Sequence, residues 1–117
     1  MGEALEGELT VALDNPLDAY GATPKLRELR DTMLFGDIWE REELSKRDRS
    51  LVTVAVLTAA RCAGELQAHI SRALANGVTR EEISEVITHV ALYAGWPAGV
   101  NGSLMAMAAF EQEDSRD

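Results

Sequence analysis

The sequence predicts an all-α fold: a single domain of about five to six helices that assembles with copies of itself. Three observations predict it. Apolar residues recur at three- and four-residue spacing from Leu26 to Phe110, and no segment alternates with the period of a strand. Ser, Thr, Pro and Gly stand where helices start and stop. The run Leu51-Val52-Thr53-Val54-Ala55-Val56-Leu57-Thr58-Ala59-Ala60 is apolar on nearly every side. Such a helix in a soluble chain must be covered all round. A chain of 117 residues has few helices to cover it, so self-association completes the burial.

Residues 1–22 read as an N-terminal arm. Leu5, Leu9, Val11 and Leu13 are apolar, but Gly2, Gly7, Asn15, Pro16 and Gly21 interrupt any long period. The arm is expected either to lie on a neighbouring subunit or to fray. The helical domain is expected over 23–112, and residues 113–117 form an acidic tail. Thr23-Pro24 opens the first clear helix, with Thr as cap and Pro at the first helical position. Leu26, Leu29, Met33 and Leu34 give it an apolar face, and Gly36 ends it.

Ser45 caps the central helix, roughly Lys46 to Arg61. A tight turn leads to a second helix, roughly Ala63 to Asn76, and Gly77 supplies the left-handed residue that closes it. Thr79-Arg80-Glu81-Glu82 is a capping box. The helix it starts runs to about Tyr93, with Ile83, Val86, Ile87, Val90 and Ala94 toward the core. Gly95-Trp96-Pro97 breaks the chain. The last helix, Pro97 to about Gln112, carries Ala98, Gly99, Gly102, Ala106, Ala108 and Ala109, small residues that permit close helix approach.

Composition narrows the function. Formal net charge is −9, from 20 acidic and 11 basic residues, and no basic stripe is present, so nucleic acid is not an expected partner. The longest apolar run falls short of the roughly 20 residues of a membrane span. The first residues are acidic and lack the apolar core of a signal peptide, so a cytoplasmic protein is expected. Cys62 is the only cysteine, which leaves no internal disulfide and no multi-thiolate metal site. It is either a small buried residue at the hairpin turn or a reactive thiol.

Glu65 and His69 stand four residues apart, on one helical face. They are either an exposed ion pair or a general acid/base, His69, biased by Glu65. His89 offers a second imidazole. Neither histidine has a metal-ligand spacing, so no metal is expected. Arg47, Arg49 and Arg61 flank the hairpin as solvated charges or anion holders. Trp96 and Tyr93 either wall a pocket or pack in the core. Asn101, on an apolar helix, needs a hydrogen-bond partner within the core or at an oligomer contact.

Several segments together resemble the carboxymuconolactone decarboxylase family. They are Phe35-Gly36-Asp37-Ile38-Trp39; Leu44-Ser45-x-Arg47-Asp48-Arg49-Ser50-Leu51-Val52; Glu65-Leu66-x-x-His69; Ala73-Leu74-x-Asn76-Gly77-Val78-Thr79-x-Glu81-Glu82-Ile83; and Tyr93-Ala94-Gly95-Trp96-Pro97-Ala98-x-x-Asn101. The resemblance covers about Phe35 to Phe110. It implies an all-helical domain, of the type also found in alkyl hydroperoxide reductase D, assembled as trimers or hexamers. The peroxidase branch of that family uses a Cys-x-x-Cys pair with a glutamate and a histidine. Here the two cysteine positions are Ala63 and Leu66, and the glutamate position is Ser50; only His69 remains. Disulfide cycling needs two thiols, so a thiol-dependent peroxidase or reductase is the remote alternative.

The γ-carboxymuconolactone decarboxylase branch fits better. It implies a cofactor-free carboxy-lyase of aromatic-compound breakdown that converts a small anionic substrate, γ-carboxymuconolactone, into an enol-lactone plus CO₂. On that resemblance His69 delivers the proton, Glu65 orients it, Arg49 holds the anion with Arg47 assisting, and His89 and Trp96 complete the pocket wall. A non-catalytic, small-molecule-binding scaffold is the alternative from a different class.

Overall fold

The computed structural model describes residues 19–116, so most of the expected arm lies outside the described residues. The chain divides into two units between Glu42 and Glu43.

In the first unit, helix α1 spans Pro24–Leu29, with Pro24 in its first turn. Thr23 occupies the cap position but makes no side-chain capping bond. The expected single helix to Gly36 instead widens into a π-turn over Arg30–Leu34, closed by Phe35 N–H donating to the Arg30 carbonyl at 2.9 Å. Thr32 Oγ1 bonds back to the Glu28 carbonyl at 2.8 Å, a local competitor for the regular ladder. A 3₁₀ turn, Ile38–Glu40, buries Trp39, whose ring lies 5.9 Å from that of Phe35.

The second unit holds four helices: α2 Lys46–Ala59, α3 Ala63–Ala75, α4 Arg80–Ala94 and α5 Trp96–Asp114. No strand occurs among the described residues. α2 and α5 touch each other, and each packs on both α3 and α4, while α3 and α4 share at most a marginal contact. Val54, Leu66, Ile70, Ala73, Val78, Ile83, Ile87, Ala106 and Ala109 form the core. Complete burial of Leu66, Ile70 or Ile83 contributes about 2 kcal/mol each.

Start signals work as their chemistry requires. Ser45 accepts from Asp48 N–H at 3.0 Å. Thr79 accepts from Glu82 N–H at 3.1 Å, and the Glu82 carboxylate accepts from Thr79 N–H at 2.9 Å, so both halves of the capping box form.

Within the single chain α2 is sealed at Ser50, Val54 and Thr58, while Val52 and Val56 stay 54% and 58% exposed, which leaves open the side that the expected self-association would cover. Its partner helices all lie on one face. One boundary is corrected: α5 begins at Trp96 and runs past Gln112 to Asp114, because Arg80 reaches from α4 to Glu113 and Asp114 and holds the last turn. The small residues of α5 have a measurable role. A Cβ at Gly99 would stand 2.4 Å from Ala91 Cβ, and one at Gly102 would stand 3.0 Å from side-chain carbons of Ile87 and Thr58.

Candidate functional site

α3 carries the titratable pair. His69 is half-buried; its Nδ1 is sealed from solvent and has no hydrogen-bond partner. Burial is the main cause that holds the imidazole below the ordinary histidine pKa. Arg72, one turn on, pushes it further down, and Glu65 opposes both. The ring is therefore poised toward its neutral form. Glu65 is exposed and makes no hydrogen bond to the ring, so its influence on His69 is electrostatic only.

The arginines of α2 are engaged within the chain. Arg47 pairs with Glu82, a contact that ties the first turn of α2 to that of α4, and also with Asp48 at 3.1 Å. These carboxylates raise its pKa, with the Glu82 hydrogen bond foremost. Glu82 in turn is held below its usual range, first by the Thr79 backbone N–H and then by Arg47. Arg49 donates from Nε to the Leu44 carbonyl at 3.2 Å, which fixes its stem beside the start of α2.

His89 and Trp96 stand elsewhere. His89 lies on the exposed side of α4, stacked on Tyr93 at 4.8 Å between ring centres. Tyr93 is 83% exposed and so is not a core residue. Trp96, 69% exposed, lines a groove of about 340 Å³ between α4 and α5, with Ile87, Ala91, Leu92, Val100 and Met107. Of the six predicted site residues only Trp96 lines this groove. His69 and Glu65 share α3; Arg47 and Arg49 share the first turn of α2. The described residues do not collect all six around one hollow.

Sequence reasoning missed the groove as a unit. Its signal was present: Trp96, Gly99, Ser103, Met107 and Phe110 recur at helical spacing along α5. Arg72 was also missed, although its place three residues after His69 puts it on the same face. Cys62 is half-buried, with Sγ 3.8 Å from the Ala60 carbonyl. No group of three or more His, Cys, Asp and Glu that could hold a metal occurs among the described residues.

The fold and the α3 site together define a class: a small all-α protein with a half-buried imidazole, held toward neutrality, on a helix that packs against α2 and α5. The sequence profile of the carboxymuconolactone decarboxylase family matches residues 24–109, and the chain belongs to that family. It is 43% identical over 77 residues to a 4-carboxymuconolactone decarboxylase of Acinetobacter baylyi, covering 66% of this chain and 58% of that protein. It is 34% identical over 87 residues to a nitrosuccinic acid decarboxylase of Metarhizium robertsii, covering 72% and 61%. An uncharacterized 15.0 kDa protein of Paracoccus denitrificans is 32% identical over 84 residues, covering 70% and 63%. The chain thus spans about three fifths of the length of these curated relatives. No helix among the described residues is long and apolar enough to cross a membrane.

Proposed function

We propose that the chain is a cofactor-independent decarboxylase of small anionic acids, acting on γ-carboxymuconolactone or a related lactone or enol. The half-buried imidazole of His69, held toward its neutral form, carries this reading. Two of the relatives are named as decarboxylases, of 4-carboxymuconolactone and of nitrosuccinic acid. Both acids hold an electron-accepting group, a lactone carbonyl or a nitro group. It takes up the pair left behind by CO₂, so no external electron sink is needed.

The proton accounting follows from the site. Loss of CO₂ from a carboxylate leaves a carbanion equivalent, which must gain one proton. His69 rests neutral. An anionic substrate beside it favours the charged imidazolium, so binding charges the ring when the proton is required. The C–C bond to the carboxylate breaks, the pair moves into the acceptor, and His69 returns its proton to carbon. Glu65 acts on His69 through its charge, and Arg49 holds the anion. Arg47 serves chiefly to hold Glu82, and it assists Arg49 only by releasing that partner. Within one chain His89 and Trp96 stand apart from His69, so their part in walling the site requires a neighbouring copy to bring them to it.

Assembly into a trimer or hexamer, in the cytoplasm, belongs to the same reading. It is supported by the open apolar side of α2 at Val52 and Val56 and by exposed Leu92, Trp96, Leu104 and Met107. Sedimentation at micromolar concentration tests it, and a monomer would contradict it.

A second reading, a non-catalytic small-molecule-binding scaffold, is favoured by the apolar groove at Trp96, which gathers none of the other five candidates. Incubation with γ-carboxymuconolactone and no added cofactor separates the two. Catalysed CO₂ release is expected. Saturable binding without CO₂ release would favour the scaffold.

A further inference from the structure

Charge is divided unevenly between the two helix pairs of the second unit. α2, α3 and the turn between them hold five Lys and Arg against two acidic residues, Asp48 and Glu65. α4 and α5 hold one basic residue, Arg80, against six Asp and Glu. Each pair also leaves large apolar side chains uncovered: Val52 and Val56 on α2, and Leu92, Trp96, Val100, Leu104 and Met107 on α4 and α5.

The two faces share one layout. On α2 the open stripe runs Arg49, Val52, Val56, with the charge at the helix start. On α4 it runs Glu81, Glu85, Thr88, Leu92, and on α5 Val100, Leu104, Met107, Glu111, all at steps of three or four residues. Arg80 ties the start of α4 to Glu113 and Asp114 at the end of α5, so the acidic ends of both stripes lie together. Arg49 is separated from Val56, Glu85 from Leu92, and Glu111 from Leu104 by the same two turns, about 10.5 Å along each helix. A basic end beside an apolar end thus matches, at one spacing, an acidic end beside an apolar end.

His69 belongs to the first of these faces. Asn76, two turns after it on α3, donates to Ser50 at the start of α2, so this side of α3 meets α2 and the helices run antiparallel. Equal steps from that pair put His69 level with Leu57, the neighbour of Val56 at the apolar end. The apolar end of the other face carries the stacked rings of His89 and Tyr93 and the exposed Trp96.

We infer that α4 and α5 of one copy seat on α2 and α3 of the next, head to tail, and that this contact brings the partner's Trp96, with the partner's His89 and Tyr93, to the His69 end of the face. Acidic ends meet basic ends, and Val52 and Val56 leave water against apolar side chains. A face set on its own likeness would bring like charges together, so charge disfavours a symmetric pair. A head-to-tail contact leaves every copy one face of each kind, and its repetition closes a ring. Lys46 and Arg72 add positive charge to the face, so Arg49 remains for the substrate anion. The inference rests on the assembly proposed above and gives it a polarity and a shared site.

Two variants of the full chain test it, each with one face spoiled. Val52→Asp with Val56→Asp spoils α2, and Leu92→Asp with Leu104→Asp spoils the α4–α5 face. All four positions are exposed, so both variants should keep the helical circular dichroism of the unaltered chain. At a micromolar concentration where the unaltered chain is assembled, each variant alone should sediment as a monomer. Their equimolar mixture should give a pair and nothing larger, weakened by added salt. With the Leu92→Asp, Leu104→Asp copy ¹⁵N-labelled, adding the other copy should shift the His69 imidazole signals; with the label exchanged, they should stay in place. Glu85→Lys with Glu111→Lys, which spoils the acidic face by charge alone, should weaken self-association at least about tenfold.

Self-association of either face-spoiled variant alone would overturn the inference, as would a mixture that stays monomeric. A pair that leaves both sets of His69 signals unmoved would overturn the shared site, and undiminished association of the Lys variant would overturn the charge pairing. An unaltered chain that is itself monomeric would defeat the assembly as a whole, whereas the other results would defeat only the faces assigned to it. None of these readouts uses turnover, so a failure of the proposed decarboxylation would leave them standing.

Discussion

Asn76 donates a hydrogen bond from Nδ2 to Ser50 Oγ at 3.0 Å, joining the end of α3 to a side chain sealed on α2. Ser50 stands at the position that the family resemblance assigns to the relay glutamate of the peroxidase branch, from which this sequence departs. Here the position holds two helices together. Ser50→Ala should lower stability by about 1 kcal/mol. In a double-mutant cycle with Asn76→Ala, chemical denaturation should give a coupling of about 0.5–1.5 kcal/mol. Additive effects would show the bond to be absent in solution.

α2 and α3 both end in the same capping motif. Cys62 N–H donates to the Leu57 carbonyl and Arg61 N–H to that of Thr58, as Val78 N–H does to Ala73 and Gly77 N–H to Leu74. The left-handed residue is Gly77 in one and Arg61, with φ of 58°, in the other. Arg61→Gly should therefore stabilise the protein by up to about 1 kcal/mol, and Gly77→Ala should destabilise it by a similar amount. Melting curves of the two variants should move in opposite directions.

Gly99 lets α5 lie against Ala91. Gly99→Ala gains about 0.5–1 kcal/mol of helix propensity. It also places a methyl group inside the contact distance of the Ala91 side chain. Overpacking costs about 1–3 kcal/mol, so the net change should be a loss. Gly99→Ala combined with Ala91→Gly should recover most of it. A stable single variant would mean that α5 can stand further from α4.

Burial lowers the His69 pKa, so below the ordinary histidine value the unfolded chain binds more protons than the folded one. The contribution of this group is full above that value. It is lost as the pH falls through the window between the ordinary value and the lower folded one. His69→Leu should flatten this part of the stability profile. For catalysis, kcat/KM should fall as the pH rises through the pKa of the free enzyme, because the imidazolium supplies the proton.

The helices of the second unit were legible because their signals are local. Ser45 and Thr79 meet backbone groups three residues on, and Gly77 closes the helix beside it. What a chain pattern cannot specify is azimuth. Val52 and Val56 look as buried as Val54, and only the placement of α3, α4 and α5 decides between them. The π-turn at Arg30 and the left-handed Arg61 carry no residue signature of their own. For the site, spacing correctly placed Glu65 and His69 on one face, but could not show that Glu65 stays in solvent. Nor could it show that Glu82, far along the chain, occupies Arg47, or that Asn101 and the imidazole are both left unmet.

The most direct test is turnover of γ-carboxymuconolactone by His69→Gln, with CO₂ release followed at matched oligomeric state. The account predicts a fall of at least about tenfold with the assembly intact. Turnover equal to that of the unaltered chain would contradict it, because the proton would then come from another group.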